Sequence, residues 1–364
     1  MNHAVDVLVP VHSGTRPISR LVESVLNENR QSVRIMFIAH DVASVEIERA
    51  LGDWAEDERV EVVPFSDGVA SPAGPLRHGL ERIEAPFFCK IDSDDYLAPG
   101  AIDSWFGVHT ASHADIVLPS MRLAGQLRNY PTPPTRPVRR KALDPVKDRL
   151  VYRTSTMGLI RTEYARHAAP SIGLTTGEDI LPSLRLWFSG ARIAAAPAEF
   201  CYVVGDDAND RVTAELRSIS DELAFVSHLA SDEVLSSLDV LSRASIVTKL
   251  LRVQIFGAVE RRSDHEWMSD EIRDLSSLTG AVVALAPQGI DVLSRYDRNL
   301  LDVVLGGKEQ SRASTSAQLQ ALGRDRRRYA RLDALAPREL TKLMSRDAPL
   351  RFLAASVIAQ RRIR

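Results

Sequence analysis

The chain has 364 residues, 45% of them hydrophobic, and its 46 Lys and Arg nearly balance its 48 Asp and Glu. This length suits one large domain and a smaller one, and the balanced charge excludes the global positive field of many nucleic-acid-binding proteins. Two cysteines, Cys89 and Cys201, are too few for a disulfide framework, and their apolar neighbours predict buried free thiols.

The N-terminal half alternates β-rich runs with amphipathic helices. Strands are predicted at 5–11, 33–39, 60–64, 87–91, 115–119, 157–161 and 192–195, and helices around 21–26 and at 45–56, 76–83, 99–109 and 180–189. This alternation is typical of parallel βαβ units. The sequence therefore predicts an α/β, Rossmann-like fold, in which helices flank a mostly parallel sheet.

The composition changes after Gly205. Neither Gly nor Pro occurs from Asp206 to Phe256, and such a stretch favours long uninterrupted helices. Helices are predicted at about 214–231, 233–262, 264–277, 288–304, 314–334 and 337–362. We therefore expect an α/β domain over residues 1–212 and an all-α C-terminal region over residues 213–364.

Targeting and membrane-spanning signals are not evident in the sequence. Residues 1–6 form no basic region, and the apolar run that follows is too short for a signal peptide. No segment approaches the roughly 20 apolar residues of a membrane-spanning helix. The expected location is the cytoplasm.

An acidic cluster, Asp92-Ser93-Asp94-Asp95, directly follows the predicted strand 87–91. Open α/β sheets bind ligands at the carboxyl ends of their strands. Three carboxylates in four residues repel one another unless a cation neutralises them, and Mg²⁺ or Mn²⁺ binds both carboxylate and phosphate oxygens. Such an ion stabilises a departing nucleotide diphosphate. The alternative interpretation is a surface turn that caps the next helix.

A second acidic pair, Glu178-Asp179, opens the predicted helix 180–189. A positioned carboxylate can deprotonate a hydroxyl as a general base, and this pair is a candidate for that role. The alternative is an acidic first turn, which the positive end of the helix dipole stabilises.

At these residues the chain resembles inverting glycosyltransferase family 2, whose members have the GT-A fold. The segment 7–13 resembles the first strand and donor loop of that family, and the segment 21–27 resembles its first helix. The segment 90–102 matches its DxD metal-binding motif and the turn beyond. The resemblance covers about residues 4–213.

The resemblance implies a metal-dependent inverting glycosyltransferase with Mn²⁺ or Mg²⁺ as cofactor. Its partners would be a nucleotide-diphosphate sugar donor and a glycan or lipid-linked acceptor, without nucleic acid. The implied setting is the synthesis of cell-surface polysaccharide or glycoconjugate.

The resemblance also implies residue roles. Asp94 would ligate the metal, with Asp92 at the ribose or metal shell and Asp95 assisting. Asp179 would be the general base, with Glu178 orienting it or contacting the acceptor. The nucleotide-sugar would be bound by Pro10, His12, Asp41, Arg77, Asp92 and Ser93.

Three positions depart from the family pattern. His40 stands where an aspartate usually reads the nucleotide base, so either Asp41 takes over or the base is recognised differently; an ordinary loop histidine is the alternative. Arg77 lies in Leu76-Arg77-His78-Gly79 instead of Arg-Asn-x-Gly; its guanidinium suits two diphosphate oxygens, or it lies on a solvated helix face. Where a histidine often supplies a third metal ligand, the chain has Asp206 and Asp207, which either substitute or form a turn.

Basic stretches complete the candidate sites. Residues 136–141 carry Arg136, Arg139, Arg140 and Lys141 in a loop that is a plausible acceptor-facing position. The last predicted helix combines four arginines with apolar residues, which suits peripheral contact with the anionic inner face of the cell membrane. Homo-oligomerisation through the helical region, or a solvated helix face, are the alternatives.

Two other functional classes remain open. A nucleotidyltransferase-like enzyme would use the same carboxylate–metal chemistry, but its usual Gly-rich, Arg-containing loop is represented here by Ser13-Gly14-Thr15-Arg16 alone. An inactive GT-A-fold binding or scaffold protein would show no metal-dependent nucleotide binding.

Overall fold

The structure is a computed structural model that describes residues 3–127, 129–130, 136, 139–207, 216–306, 311–326 and 332–361. The chain divides into two compact units, Met1–Val212 with Ile358–Arg364, and Thr213–Val357. Within the described residues, no helix combines the length and apolar character needed to cross a membrane.

The first unit contains two sheets. The strands in chain order are β1 (Val5–Val11), β2 (Val33–His40), β3 (Val60–Phe65), β4 (Phe87–Lys90), β5 (Tyr96–Leu97), β6 (Ile116–Leu118), β7 (Met121–Leu123), β8 (Asn129–Tyr130), β9 (Leu159–Arg161), β10 (Ile193–Ala195) and β11 (Tyr202–Val204). The larger sheet has the order β10-β6-β9-β4-β1-β2-β3. Strand β9 runs antiparallel to both its neighbours, and the other pairs are parallel. The expected mostly parallel sheet is confirmed.

Helices cover both faces of the larger sheet. They are α1 (Ile18–Leu26), α2 (Ser44–Leu51), α3 (Ala73–Leu80), α4 (Ala101–Ser112), α5 (Ala165–Ala168) and α6 (Ile180–Trp187), with 3₁₀ turns at Gly52–Glu56, Leu150–Tyr152 and Thr162–Tyr164. Val7 of β1 belongs to one buried cluster with Leu21 of α1 and Trp105 of α4. Leu8 belongs to another with Leu76 of α3 and Trp187 of α6. Successive strand residues point to opposite faces, and β1 is apolar at every position except Asp6 because both of its faces are buried.

The smaller sheet has the order β5-β11-β7-β8. Strand β11 pairs antiparallel with β5 and parallel with β7. Since β5 begins directly after the acidic cluster, this pairing fixes the far end of the acidic segment, while β4 fixes its beginning.

The second unit is helical, as expected. Its helices are α7 (Ile219–Glu222), α8 (Phe225–Ala230), α9 (Glu233–Ser237), α10 (Val240–Lys249), α11 (Phe256–Arg261), α12 (Ser269–Leu285), α13 (Arg295–Gly306), α14 (Arg312–Arg326), α15 (Leu332–Leu335) and α16 (Pro349–Arg361), of which the residues from Ile358 onward are assigned to the first unit. A π-helical segment, Leu250–Ile255, joins α10 to α11, and 3₁₀ turns occur at Pro287–Ile290 and Leu340–Lys342.

The prediction of one long helix over 233–262 is wrong. The chain breaks before α10, where the Asp239 carboxylate accepts hydrogen bonds from the backbone N–H groups of Leu241 (2.8 Å) and Ser242 (3.0 Å). Asp232 caps α9 in the same way through the N–H of Leu235 at 3.0 Å. A run without Gly or Pro therefore does not guarantee one helix, because aspartate side chains can start new ones.

Candidate active site

The acidic cluster lies at the carboxyl end of β4, next to the carboxyl ends of β1 and β2. The N–H of Ile91 still donates to the carbonyl of Leu8 in β1 at 3.0 Å, after which the chain leaves the sheet. The N–H of Asp95 donates to the carbonyl of Asp92 at 2.9 Å and closes a tight turn. The acidic residues therefore occupy the edge of the sheet at which ligands bind in open α/β folds.

Asp95 points into the protein. Its side chain is buried, and its two oxygens accept hydrogen bonds from the Tyr202 hydroxyl (2.6 Å) and the Gly205 N–H (2.9 Å). Burial, and secondly the charge of Asp92, raise the pKa of Asp95 to about 7 against the lowering effect of these hydrogen bonds. These contacts favour a structural role, in which Asp95 joins the acidic turn to β11, and give no support to its predicted assistance at a metal.

Asp94 is held by two arginines that follow β1. Its carboxylate lies 3.3 Å from Nη1 of Arg16, whose side chain is buried. Arg20 donates to the backbone carbonyl of Asp94 at 2.8 Å, and also donates to both carboxylate oxygens of Asp207 at 2.8 and 3.1 Å. Sequence reasoning gave neither arginine a role in the site; the basic residues in the loop and helix after β1 were the available signal.

Asp207 therefore has a place beside the acidic turn through Arg20, although both Asp206 and Asp207 are exposed. The absence of a side chain at Gly205 lets its backbone lie close to the acidic turn, because a Cβ on it would lie 2.0 Å from the Asp94 carbonyl oxygen. The proposed substitution of Asp206 or Asp207 for a histidine metal ligand stays a prediction.

Lys90 connects the acidic cluster with the second acidic pair. Its ammonium lies 3.1 Å from the Asp92 carboxylate, and its side chain is only 16% exposed. Burial by itself would lower the pKa of Lys90, but the charges of Asp92, Asp179 and Glu178 raise it above the ordinary value. Lys90, Glu178 and Asp179 also line one small cavity. The structure thus brings the two acidic motifs to a common cation, which sequence reasoning missed because it treated Lys90 only as part of the motif.

Asp179 occupies the N-cap position of α6, but its side chain makes no capping hydrogen bond. Aspartate at this position normally caps the helix with its carboxylate. Gly177, with φ of 73°, turns the chain just before it, and both Glu178 and Asp179 are half-buried. Asp179 lines the small cavity that Lys90 also lines.

The predicted donor-binding residues of β1 lie near the same edge. Pro10 stands opposite Ile38 in β2 and is half-buried, and His12 is exposed just beyond the strand. His12 Nε2 lies 3.4 Å from Nη2 of Arg16, the arginine that contacts Asp94. Ser93 is buried within the acidic turn. Pro10 and His12 therefore lie at the carboxyl end of β1, and the acidic turn follows the neighbouring strand β4.

His40 is not an ordinary loop histidine. It is buried at the end of β2, with Nε2 2.8 Å from an Asp67 oxygen and 3.2 Å from an Asp41 oxygen. Asp41, with φ of 52°, also accepts hydrogen bonds from the Ser66 hydroxyl and the Gly68 N–H. Asp41 is thus tied into a network between the ends of β2 and β3.

Metal-ligand geometry separates the two groups of acidic residues. Within the described residues, His40, Asp41 and Asp67 form the single group of three whose ligand atoms all lie within 4.8 Å of one another. The three carboxylates of the acidic cluster do not converge in this way. They nevertheless fit Mg²⁺ chemistry, since that ion is usually held by one or two carboxylates together with substrate phosphates. Asp94 and Asp92 are the candidates for such a pair of carboxylates.

The remaining predicted residues lie apart from these contacts. Arg77 is half-exposed on α3, 3.8 Å from the Glu81 carboxylate one turn later, as on a solvated helix face. Arg136 pairs with the buried Asp148 at 2.6 Å. The other basic residues of that loop, Arg139, Arg140 and Lys141, are exposed. Their predicted contacts with diphosphate or acceptor stay predictions.

The chain was compared with known proteins. Residues 6–168 match the family model described as Glycosyl transferase family 2. The structure of S. aureus TarS 1-349 in complex with UDP-GlcNAc superposes with a TM-score of 0.70 at 16% identity, over 91% of this chain and 93% of that one. A further structure of S. aureus TarS superposes with a TM-score of 0.68 at 15% identity, over 88% of this chain and 55% of that one. The search of curated proteins found no match. At this identity the structural likeness shows the fold alone, and it confirms the expected GT-A-like architecture.

Proposed function

We infer, from the match of residues 6–168 to the family model described as Glycosyl transferase family 2, that this chain transfers a sugar from a nucleotide-diphosphate sugar to an acceptor hydroxyl, with inversion at the anomeric carbon. The observation that carries this proposal is Lys90, which lines the same small cavity as Asp179 and whose ammonium lies 3.1 Å from the Asp92 carboxylate of the acidic turn. This common neighbour supports the proposal that a leaving-group site at Asp92 and a base at Asp179 act on the same bound donor.

A divalent cation, Mn²⁺ or Mg²⁺, is part of the proposal, and Asp94 with Asp92 would hold it. When bound, such an ion neutralises the charge that develops on the diphosphate as the sugar leaves. Arg16 lies 3.3 Å from the Asp94 carboxylate and Lys90 lies 3.1 Å from that of Asp92. Arg16 is also near His12, and we propose that its guanidinium turns to phosphate oxygens when the donor binds, since two donors in a plane match them well.

Asp179 is the proposed general base. Its carboxylate would accept the proton of the acceptor hydroxyl while that oxygen attacks the anomeric carbon. Glu178 would orient it or contact the acceptor. The charges of Asp92, Asp179 and Glu178 raise the pKa of Lys90, so Lys90 stays positively charged beside both carboxylates.

The donor is proposed to be a nucleotide-diphosphate sugar because TarS, which shares the fold, has been solved with UDP-GlcNAc and with UDP. Pro10, His12 and Ser93 lie where the donor would bind, and Asp41, fixed by Ser66 and Gly68, is the proposed contact for the nucleotide base. A glycan or lipid-linked acceptor, and a place in cell-surface polysaccharide or glycoconjugate synthesis, rest on the family resemblance.

The test uses two variants and one control. Asp179→Asn should lower the rate of nucleotide release from the donor by about 10²–10⁴-fold, the range for loss of a general base, while donor binding persists. Asp94→Ala should abolish the Mn²⁺-dependent part of donor binding. Asp53→Asn, an exposed carboxylate in the turn after α2, should behave as wild type.

Activity would be followed as nucleotide release from a panel of donors that begins with UDP-GlcNAc, in the presence of Mn²⁺ and candidate acceptors. Full activity of both Asp179→Asn and Asp94→Ala would refute the assignment. Release of pyrophosphate would identify a nucleotidyltransferase, and the absence of metal-dependent nucleotide binding would identify an inactive scaffold.

A further inference from the structure

Helix α16 exposes a contiguous apolar face. Leu350, Leu353, Val357 and Ile358 are 45%, 47%, 39% and 41% exposed. They follow one another at i, i+3, i+7 and i+8, and this spacing places them along one side of a helix. Single exposed apolar residues are normal on protein surfaces, but a contiguous stripe marks a contact surface.

The charge around this stripe has one sign. From residue 348 to residue 364 the sequence contains four arginines, at positions 351, 361, 362 and 364, and no acidic residue. The last acidic residue, Asp347, is buried and accepts a hydrogen bond from the Ser245 hydroxyl at 3.1 Å. Arg351 is exposed next to Leu350. The segment therefore combines an apolar stripe with a local positive charge that no nearby acid in sequence cancels.

A surface of this composition fits an anionic bilayer. An amphipathic helix with basic residues lies in the plane of the membrane, with its apolar side at the boundary between headgroups and acyl chains. Each Lys or Arg near an anionic leaflet adds about 1 kcal/mol of attraction. The 13 residues of α16 make a helix of about 20 Å, enough for a stable in-plane contact.

A second copy of the chain fits less well. A two-fold symmetric contact places the same patch of both subunits against itself, so Arg351 of one stripe would approach the other stripe, whose segment supplies no acidic partner. Anionic headgroups supply the missing negative charge.

We propose that α16 is a peripheral membrane-docking element, which binds anionic phospholipid through Leu350, Leu353, Val357 and Ile358 together with the exposed Arg351. This proposal is independent of the transferase chemistry, since it uses none of the residues of the candidate active site.

The test is co-sedimentation of the full chain with vesicles. We expect binding to vesicles of equal parts phosphatidylcholine and phosphatidylglycerol, at least tenfold weaker binding to phosphatidylcholine alone, and weakening as salt rises. The double variant Leu353→Glu with Val357→Glu should bind the anionic vesicles at least tenfold more weakly than wild type. Arg351→Ser should weaken binding to a smaller extent.

The matched control is Leu241→Glu, which changes a leucine on α10 that is 76% exposed and should leave vesicle binding unchanged. Circular dichroism and the donor-induced thermal shift check that each variant is folded. Absence of wild-type binding, or unchanged binding of the double variant, would overturn the proposal. Concentration-dependent self-association without vesicles, lost in the double variant, would instead identify a second copy as the occupant. None of these outcomes bears on sugar transfer.

Discussion

Lys90 ends β4 with its ammonium 3.1 Å from Asp92 and with Glu178 and Asp179 in the same cavity. Replacement by Met would leave these carboxylates facing one another with less positive charge between them. We expect Lys90→Met to lower kcat at least tenfold and to shift the acidic limb of the pH–activity profile to higher pH, because loss of a cation favours protonated carboxyls.

Lys90→Arg is the control, since it keeps the charge and should retain the position of the acidic limb. Steady-state kinetics from pH 5 to pH 9 would measure both variants. A lower kcat with an unmoved limb in Lys90→Met would mean that Lys90 acts only through packing.

Gly205 illustrates how backbone approach shapes the acidic turn. Because a Cβ on it would lie 2.0 Å from the Asp94 carbonyl oxygen, Gly205→Ala must displace the turn. Overpacking of this kind costs about 1–3 kcal/mol, and we expect a lower unfolding midpoint and at least tenfold weaker Mn²⁺-dependent donor binding. Gly107→Ala is the matched control: it lies inside α4, with nothing within 4 Å of the added Cβ, and should be neutral or stabilising.

At the scale of elements, a buried ion pair joins β1 to β2 and to the turn before β4. Asp6 is fully buried and accepts two hydrogen bonds from the Arg34 guanidinium, each at 2.9 Å, and two more from the N–H groups of Glu84 and Ala85. Burial alone would raise the pKa of Asp6, but these hydrogen bonds bring it below the ordinary value. The strands that carry the site therefore depend on an ionised Asp6.

Asp6→Asn should lower the free energy of unfolding by about 3–5 kcal/mol at pH 7, because it leaves Arg34 partly buried without its partner. The sign of the pH dependence follows from the lowered pKa. The contribution of Asp6 is present above the unfolded pKa of about 3.9 and disappears as pH falls through the folded value.

Urea unfolding at pH 7, 5 and 3.5 would therefore show the difference between wild type and Asp6→Asn shrinking at the lowest pH. Glu61→Gln is the control, since Glu61 is half-exposed and 3.6 Å from the same arginine; exposed pairs contribute at most about 1 kcal/mol. A constant difference across the three pH values would contradict the ionic explanation.

At the scale of the whole molecule, donor and metal should stabilise the folded chain by mass action. A ligand at one hundred times its Kd adds about 2.7 kcal/mol, so UDP-GlcNAc with Mn²⁺ should raise the unfolding midpoint by several degrees if it is the donor. Removal of the metal by EDTA should abolish this rise. An equal rise with and without metal would show that the nucleotide binds without the proposed Asp94 ion.

The sequence by itself determined the α/β alternation, the place of the acidic cluster after a buried strand, and the family resemblance, because buried strands and acidic motifs are local patterns. It did not determine the helix boundaries after residue 216, since Asp232 and Asp239 break the chain through side-chain hydrogen bonds that periodicity does not reveal. The sequence also did not determine which of the acidic side chains in the cluster points into the protein and which faces the proposed donor site. Only the tertiary structure turned Asp95 towards Tyr202 and placed Lys90 beside Asp179. Such contacts join residues about 90 to 110 positions apart in the chain, and their geometry arises from strand pairing and packing.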